Sequence, residues 1–446
     1  MLELKCERVD FFGNGIVIYK NEEKKIPGLL EGEIGVFEAV KNGKYTNLHL
    51  LDIKNKNKDR IKPKCPIFGE CGGCQFQHMT YKKELEIKSN YIKELFKDSR
   101  SVTISDVIPN ISESGYRDKC QMTYKKSKSN KVVCGFYEEN SHKIIPVVDC
   151  NIQNAKAKNI IEIVNNALTK NKIEPYDERT RKGIIRHILI RIAEFTDEVM
   201  VSLVTNGEFF PGRKNVLNDI LKQTKEITTI VQNYNDRDTS IVLGEKERVL
   251  YGPGFIYDKI GDFKFKLSSK SFYQVNPNGM KILYDKVISK LNVSKTDIVL
   301  DTYSGVGTIG ILLSKLCKEV YSCELNHDAY LDAITNAKLN NIKNIKFFNL
   351  DSTKFVHELS MNKVKIDCLV LDPPREGSTK DFINSVCALE PKKIIYVSCE
   401  PKSLQRDLYD FTKNGYLIKS VDSVDMFPRT SNLEAVCMLV KSKICC

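Results

Sequence analysis

Three sets of residues in this 446-residue chain have types and spacings that could do chemistry. Cys65, Cys71 and Cys74 stand in a C-x5-C-x2-C pattern, and Gly69, Gly72 and Gly73 let their loop fold around a small body. Three thiols so spaced point to a metal centre, and both zinc and an iron–sulfur cluster take four thiolates. The second set is the glycine-rich stretch 299–310, VLDTYSGVGTIG, in which Gly305, Gly307 and Gly310 read G-x-G-x-x-G after an apolar run ending in Asp301. Such a turn brings backbone close to a nucleotide-like cofactor. Glu324, 19 residues after Gly305, ends the next apolar run, where a carboxylate could accept hydrogen bonds from both hydroxyls of a ribose. The third set is a thiol and a carboxylate at the ends of two further apolar runs: Cys399 after 394–397, and Asp372, followed by Pro373 and Pro374, after 368–371. A thiol at a strand end can serve as a nucleophile if nearby donors lower its pKa.

These residues need elements to position them. From Lys270 onward, short apolar runs at 298–300, 319–323, 345–348, 368–371 and 394–397 alternate with helical stretches, which signals a doubly wound parallel α/β sheet. Ligands on such sheets bind beyond the carboxyl ends of the strands, where Asp301, Glu324, Asp372 and Cys399 all fall. Between 61 and 261, helical stretches (81–96, 155–169) alternate with strand-like runs (184–192, 198–204), giving a mixed α+β domain. In the run IRHILIRI, from Ile185, basic and apolar residues share one strand, which could present a charged face to nucleic acid or form a solvated sheet face. Residues 1–53 hold short alternating segments (9–12, 16–19, 33–40, 48–53) separated by turns at Asn14-Gly15 and Asn42-Gly43, the pattern of a small antiparallel barrel. The run 54–64, KNKNKDRIKPK, reads as a solvated linker and domain boundary with the charge to touch phosphate. Further basic groups lie at 125–131 and 179–191.

Composition bounds the answer. With 41% hydrophobic and 28% charged residues the chain is globular, neither disordered nor fibrous, and its length suggests two or three domains. No apolar run approaches the roughly 18 residues of a membrane span, and the start, MLELKCERVDFFGNG, lacks the basic-then-apolar order of a signal peptide. A cytoplasmic protein is expected, in which 15 cysteines stay reduced. The excess of 69 Lys and Arg over 57 Asp and Glu gives a net charge of +12, enough to attract a polyanion but less than that of an obligate nucleic-acid coat protein.

Several motifs resemble known families. FFGNGIVIYKNEEKKIPGLLEGEIGVFEAV resembles the TRAM domain, an OB-like barrel of RNA-modifying enzymes, through its Gly-x-Gly start and the turn at 27–33. The glycine turn resembles motif I of class I methyltransferases, and its distance from the preceding strand differs from the dinucleotide fingerprint, which follows its strand at once. Asp372-Pro373-Pro374 resembles motif IV of nucleic-acid methyltransferases. The follower is Arg375 and not an aromatic, which disfavours methylation of an exocyclic amine. YVSCEPKSLQRDL is similar to the nucleophile motif of the uracil-5 RNA methyltransferases through Ser398, Cys399, Pro401, Arg406 and Asp407, with Glu400 in the place of the family's Asn. MFPRTSNLEAVCML resembles the segment carrying that family's base, which falls on Glu434, while Arg429 and Asn432 stand where the family often has His. SFYQVNP resembles the entry motif whose Gln contacts the cofactor, here Gln274, and Tyr303 is carried over likewise. CPIFGECGGCQFQHMTY resembles the 4Fe-4S loop of the 23S ribosomal RNA uracil-5 methyltransferases, whose later fourth ligand falls on Cys150, with Cys120 and Cys134 as weaker candidates.

The resemblance implies a TRAM-like barrel at 1–53, a central iron–sulfur and RNA-binding domain at 61–261, and a class I, Rossmann-like methyltransferase domain at 262–446. It implies methyl transfer from S-adenosylmethionine to carbon 5 of a uridine in 23S ribosomal RNA, with Cys399 as nucleophile and Glu434 as base. Gln274, Tyr303, Glu324 and Asp372 would hold the cofactor, and Cys65, Cys71, Cys74 and Cys150 a structural 4Fe-4S cluster, with zinc as the other possibility. A tRNA uridine is the alternative target, a non-catalytic RNA-binding protein the alternative class, and no obligate protein partner is expected.

Overall fold

The apolar runs after residue 270 pair as one sheet that carries the motif residues. In the computed structural model, which describes residues 1–42, 45–99 and 102–442, these strands are β1 (Ile298–Thr302), β2 (Glu319–Cys323), β3 (Ile345–Phe348), β4 (Cys368–Leu371), β5 (Lys393–Ser398), β6 (Tyr416–Val424) and β7 (Glu434–Lys441). Their order is 3-2-1-4-5-7-6, with β1 to β5 parallel and β7 antiparallel to both β5 and β6. The central strands β1, β4 and β5 read as apolar runs because both of their faces are covered. Val299, Val370, Ile395 and Val436 enter one core layer, while Leu300, Leu371, Tyr396 and Cys437 enter the other. The two antiparallel strands at the end had no clear signal in the sequence, and they are what brings residue 434 back to the strand before residue 399.

An earlier segment joins this sheet. The helix Tyr81–Leu95, capped by Thr80, packs on the second core layer, and the two-residue strand Thr103–Ile104 extends the sheet beyond β6. The inner face of the helix carries Lys88, fully buried, with Nζ 2.8 Å from Glu84 Oε1 and 2.8 Å from Asp425 Oδ1. Tyr81 Oη also donates to Asp425 Oδ2 at 2.9 Å. Lys88→Ala would leave the buried Asp425 without its cation and Glu84 with only the more distant Arg429, whose Nη1 lies 3.6 Å from Oε2. The expected cost is about 3–5 kcal/mol, read as a lower urea midpoint with unchanged slope; an unchanged midpoint would contradict this account of the helix.

The central sheet has seven strands, in the order Lys246–Tyr251, Ile227–Tyr234, Val199–Thr205, Ile185–Ile192, Lys119–Lys126, Val132–Tyr137 and Ile144–Pro146. All pairs are antiparallel except that of Val199–Thr205 with Ile227–Tyr234, and the helices Ala155–Lys170 and Arg213–Gln223 cover one face. The strand Ile185–Ile192 lies in the middle of this sheet with every residue buried, which corrects both readings of it as an exposed face. Arg186 donates to the carbonyls of Asn235 and Arg237 and stacks over Tyr176, and Arg191 donates to the Ser271 carbonyl at 2.6 Å. Backbone oxygens take up the terminal nitrogens of these buried guanidinium groups, while each Nε is left without a protein partner among the described residues.

At the N-terminus five antiparallel strands, ordered Glu22–Pro27, Asn14–Tyr19, Leu2–Val9, Ile34–Asn42 and Tyr45–Lys54, curl as a half-barrel around Cys6, Val17, Ile26, Leu29 and Phe37. The segment 9–12 is not a strand. Asp10 Oδ1 accepts the N–H groups of Phe12 and Asn14, closing the turn one step earlier than Asn14-Gly15. Gly15 instead lies within a strand, where a Cβ would come 2.8 Å from the Cys6 sulfur. Gly43 of the other expected turn lies outside the described residues, as do Cys445 and Cys446. Within the basic run, Arg60 is bound to the buried Glu33 and to the Gly28 carbonyl, so it ties this stretch to the half-barrel. Among the described residues no helix is long and apolar enough to cross a membrane.

Candidate active site

All six candidate catalytic and cofactor residues, Gln274, Tyr303, Glu324, Asp372, Cys399 and Glu434, line one cavity of about 560 Å³ at the carboxyl edge of β1, β2, β4 and β5. Register explains the meeting of the last two. In the β5–β7 ladder Ser398 lies opposite Ala435, so Cys399 and Glu434 are the next residues beyond that pair.

On the opposite wall, the turn after β1 is held by its own carboxylates. Asp301 Oδ2 accepts the Gly310 N–H at 2.9 Å, and a Cβ at Gly310 would come 2.9 Å from that oxygen, which is why glycine stands there. Glu324 Oε2 accepts the Gly305 N–H at 2.8 Å and Oε1 the Asn326 N–H at 2.7 Å. A carboxylate has about four lone-pair sites, so two remain for a ligand's hydroxyls. Tyr303 holds a left-handed backbone, φ 59°, strained for a non-glycine residue, and turns its ring into the cavity wall. Gln274 is buried in a segment anchored on both sides: Arg191 and Asp332 hold Ser271, and Asn276 donates to the Met426 carbonyl at 2.7 Å.

Electrostatics separates the two ends. Burial pushes the Glu434 carboxyl well above its usual value, and the charge of Asp372 adds to the rise. Asp372, enclosed by protein except toward the cavity, is pushed up to about 7 by burial. Cys399 is pushed up to about 11, first by burial and then by Glu434 and Asp372, with Arg375 opposing. This corrects the expectation of a lowered thiol pKa. Glu400, whose charge would be expected to raise it further, accepts the Lys402 N–H and caps the helix Pro401–Lys413 instead. A raised thiol is protonated at neutral pH, and its thiolate fraction grows about tenfold per pH unit until the pKa is passed. Alkylation of Cys399 by iodoacetamide, followed by peptide mass spectrometry, is therefore expected to quicken throughout pH 7 to 10 without levelling. A plateau near pH 8 would contradict this assignment.

Some lining residues escaped the sequence reading. Arg117, Tyr284 and the exposed Phe272 come from three separate segments, and Arg375 Nη2 reaches Asn432 Oδ1 at 3.0 Å across the rim. Phe272 stands within SFYQVNP, and a large apolar residue beside a buried Gln was the one signal available for it.

Cys65, Cys71, Cys74 and Cys150 line a second cavity, of about 480 Å³, with Gln77 and Lys119. Cys74 feels the charges of the other three, and burial pushes its thiol up to about 12. Cys120 and Cys134 are buried in the core under the central sheet, the latter against Met122, and neither lines this cavity. Among the described residues no three His, Cys, Asp or Glu side chains are drawn tightly enough to hold a single ion. A larger cavity, about 750 Å³, opens on the central sheet beside Lys125, Lys143, Tyr176, Arg179 and Lys182, and gathers two of the basic groups noted in the sequence.

Comparison with known proteins adds to this geometry. Residues 80–442 match the family model described as tRNA (uracil-5-)-methyltransferase. The chain is 35% identical to an uncharacterized RNA methyltransferase of Oceanobacillus iheyensis over 98% of its own length and 95% of the relative's. It is 37% identical to one of Clostridium acetobutylicum over 97% and 95%. Its fold is similar to that of the crystal structure of Pyrococcus abyssi tRNA (uracil-54, C5)-methyltransferase in complex with S-adenosyl-L-homocysteine, with a TM-score of 0.79 at 24% identity over 98% of this chain and 100% of that one.

Proposed function

Because the chain belongs to the tRNA (uracil-5-)-methyltransferase family, we propose that it methylates carbon 5 of a uridine in 23S ribosomal RNA through a covalent adduct on Cys399. The observation that carries this reading is the register that sets Cys399 beside Glu434 across the cavity from the glycine turn.

Carbon 5 of uracil is a weak nucleophile. The minor thiolate form of Cys399, its proton released to water, adds to carbon 6, the C5=C6 electrons move into the adjoining carbonyl as an enolate, and carbon 5 becomes nucleophilic. S-adenosylmethionine supplies the electrophilic methyl group. Glu434 then takes the C5 proton; the C5–H electrons re-form the double bond and expel the thiolate. A buried carboxylate with a raised pKa is a stronger base than one in water, which suits this step. Glu324 is suited to the ribose hydroxyls, while Gln274, Tyr303 and Asp372 border the cofactor. The uridine must leave its stack to reach a cavity of this kind, and the basic cavity on the central sheet is suited to the phosphates that flank it.

Cys65, Cys71, Cys74 and Cys150 are proposed as the ligands of a structural 4Fe-4S cluster. Support comes from the donor set, four thiols lining one cavity, which is the number of thiolates such a cluster takes. Anaerobically purified protein is expected to hold about four irons per chain, and Cys150→Ser to lose them. One zinc and no iron would overturn this.

The family's description and the archaeal protein's name favour a second target, a tRNA uridine. One experiment decides. The protein is incubated with labelled S-adenosylmethionine and 5-fluorouridine-containing transcripts of either RNA, and fluorine at C5 blocks the last step. A denaturation-resistant labelled adduct with ribosomal RNA supports the first reading, and one with tRNA alone the second. No adduct with either would end the covalent mechanism.

A further inference from the structure

The loop that precedes Glu434 is fastened to the cysteine-bearing loop at one residue. Gln75, which follows Cys74, makes two hydrogen bonds that join the loops and a third that braces its side chain within its own. Its backbone N–H donates to the Arg429 carbonyl at 2.9 Å, its Oε1 accepts the Ser431 N–H at 2.9 Å, and its Nε2 donates to the Gly72 carbonyl at 2.8 Å. The neighbouring Phe76 N–H shares the Arg429 carbonyl at 3.1 Å. The third unit of the chain meets them at the same point, because a Cβ at Gly13, in the first turn of the half-barrel, would come 2.8 Å from the Gln75 carbonyl oxygen.

What Gln75 grips needs gripping. Arg429 holds φ 72°, a left-handed conformation that a non-glycine residue keeps only where its surroundings impose it. Its N–H is held by Glu84 Oε1 at 2.7 Å, its Nη1 reaches the Met79 carbonyl at 2.8 Å, and Glu113 binds its Nη2. Between Ser431 and Glu434 lie only Asn432 and Leu433, and Asn432 is the residue that meets Arg375 at the cavity rim. The backbone on the other side of Glu434 is set by the β5–β7 ladder, whereas the backbone before it depends on contacts from outside the sheet.

We infer that Gln75 is a positioning residue for Glu434. It holds the loop Arg429 to Ser431 so that the carboxylate meets the C5 proton, and it acts on proton removal and not on the formation of the adduct, which needs only Cys399 and the cofactor. The inference rests on the proposed role of Glu434 as base. Gly72 stands between Cys71 and Cys74, so the loop that Gln75 grips is the one that the cysteines shape.

Gln75→Ala removes two of the three bonds from a half-buried side chain and leaves the buried cluster around Arg429 intact. With ordinary RNA bearing tritium at C5 of the target uridine, two quantities are followed: denaturation-resistant adduct carrying the methyl label, and tritium release. The expected result is a rate of adduct formation within about twofold of the parent and tritium release slowed by about tenfold or more, so that adduct accumulates. Gln75→Glu, which keeps the acceptor for Ser431, should recover part of the release rate. Equal loss in both quantities would overturn the inference, since a purely structural role slows both, and so would unchanged release. Glu434→Gln serves as the reference: if that variant builds no adduct while the parent is still trapped by 5-fluorouridine RNA, the base assignment fails and the inference with it.

Discussion

Cys399→Ala is expected to lower methyl transfer by at least about 10⁴-fold, the scale on which removal of a covalent nucleophile is felt. It should also abolish the adduct with 5-fluorouridine RNA. The reason lies in the substrate: without addition at C6, carbon 5 has no enolate to present to the methyl donor, and among the described residues no other thiol borders the cavity. The cofactor side should survive, because Asp301, Gly305, Glu324 and Asn326 form their hydrogen bonds without any contribution from Cys399. The measurement is therefore double. S-adenosylmethionine affinity by calorimetry should stay within about threefold of the parent, a change below about 1 kcal/mol, while single-turnover transfer disappears. Methylated uridine made at an ordinary rate would rule out Cys399 as nucleophile, and RNA binding with no methylation by either protein would favour the non-catalytic reading.

Glu434→Gln is expected to give the opposite intermediate pattern. Turnover should fall by about 10² to 10⁴-fold, the usual range for a lost general base, but the adduct should build up with ordinary, unfluorinated RNA. Glutamine keeps the shape of a side chain that is 4% exposed and so avoids opening a cavity. It also removes a carboxylate that raises the Cys399 pKa, so adduct formation should be no slower than in the parent, and slightly faster at alkaline pH. Gel-shifted, methyl-labelled protein that persists after denaturation is the readout. Absence of that band, with turnover near normal, would transfer the role of base to another group, for which Asp372 is the nearest candidate.

The methyltransferase sheet was legible before any coordinates because its signals are local. β1, β4 and β5 are short runs largely buried on both faces, and β2 and the half-buried edge strand β3 are short and rich in β-branched and aromatic residues, so composition sets them apart from the amphipathic helices between, and the expected limits at 319–323, 345–348 and 368–371 coincide with β2, β3 and β4. The motif residues are legible for the same reason: they stand at strand ends, and a parallel doubly wound sheet brings strand ends to one edge. The strand Ile185–Ile192 was not legible. Nothing in the order of its residues says that Arg186 and Arg191 will find backbone carbonyls from Asn235, Arg237 and Ser271, which lie 49 to 80 residues away along the chain.

The sequence by itself determined the α/β class and the glycine turn after β1, because these depend on side-chain type, local period and short spacing, and its resemblance to the uracil-5 RNA methyltransferases named the candidate reactive residues. Only the tertiary structure decided how the carboxylates and the thiol act on one another. Cys399 and Glu434 are 35 positions apart, and their meeting depends on one antiparallel register; the height of the thiol pKa depends on burial and on the charge of Asp372 from a third strand. The same holds for Gln75 and Ser431, joined across 356 positions by a single hydrogen bond. Long-range pairing of this kind is written in packing and register, which no local stretch of sequence contains.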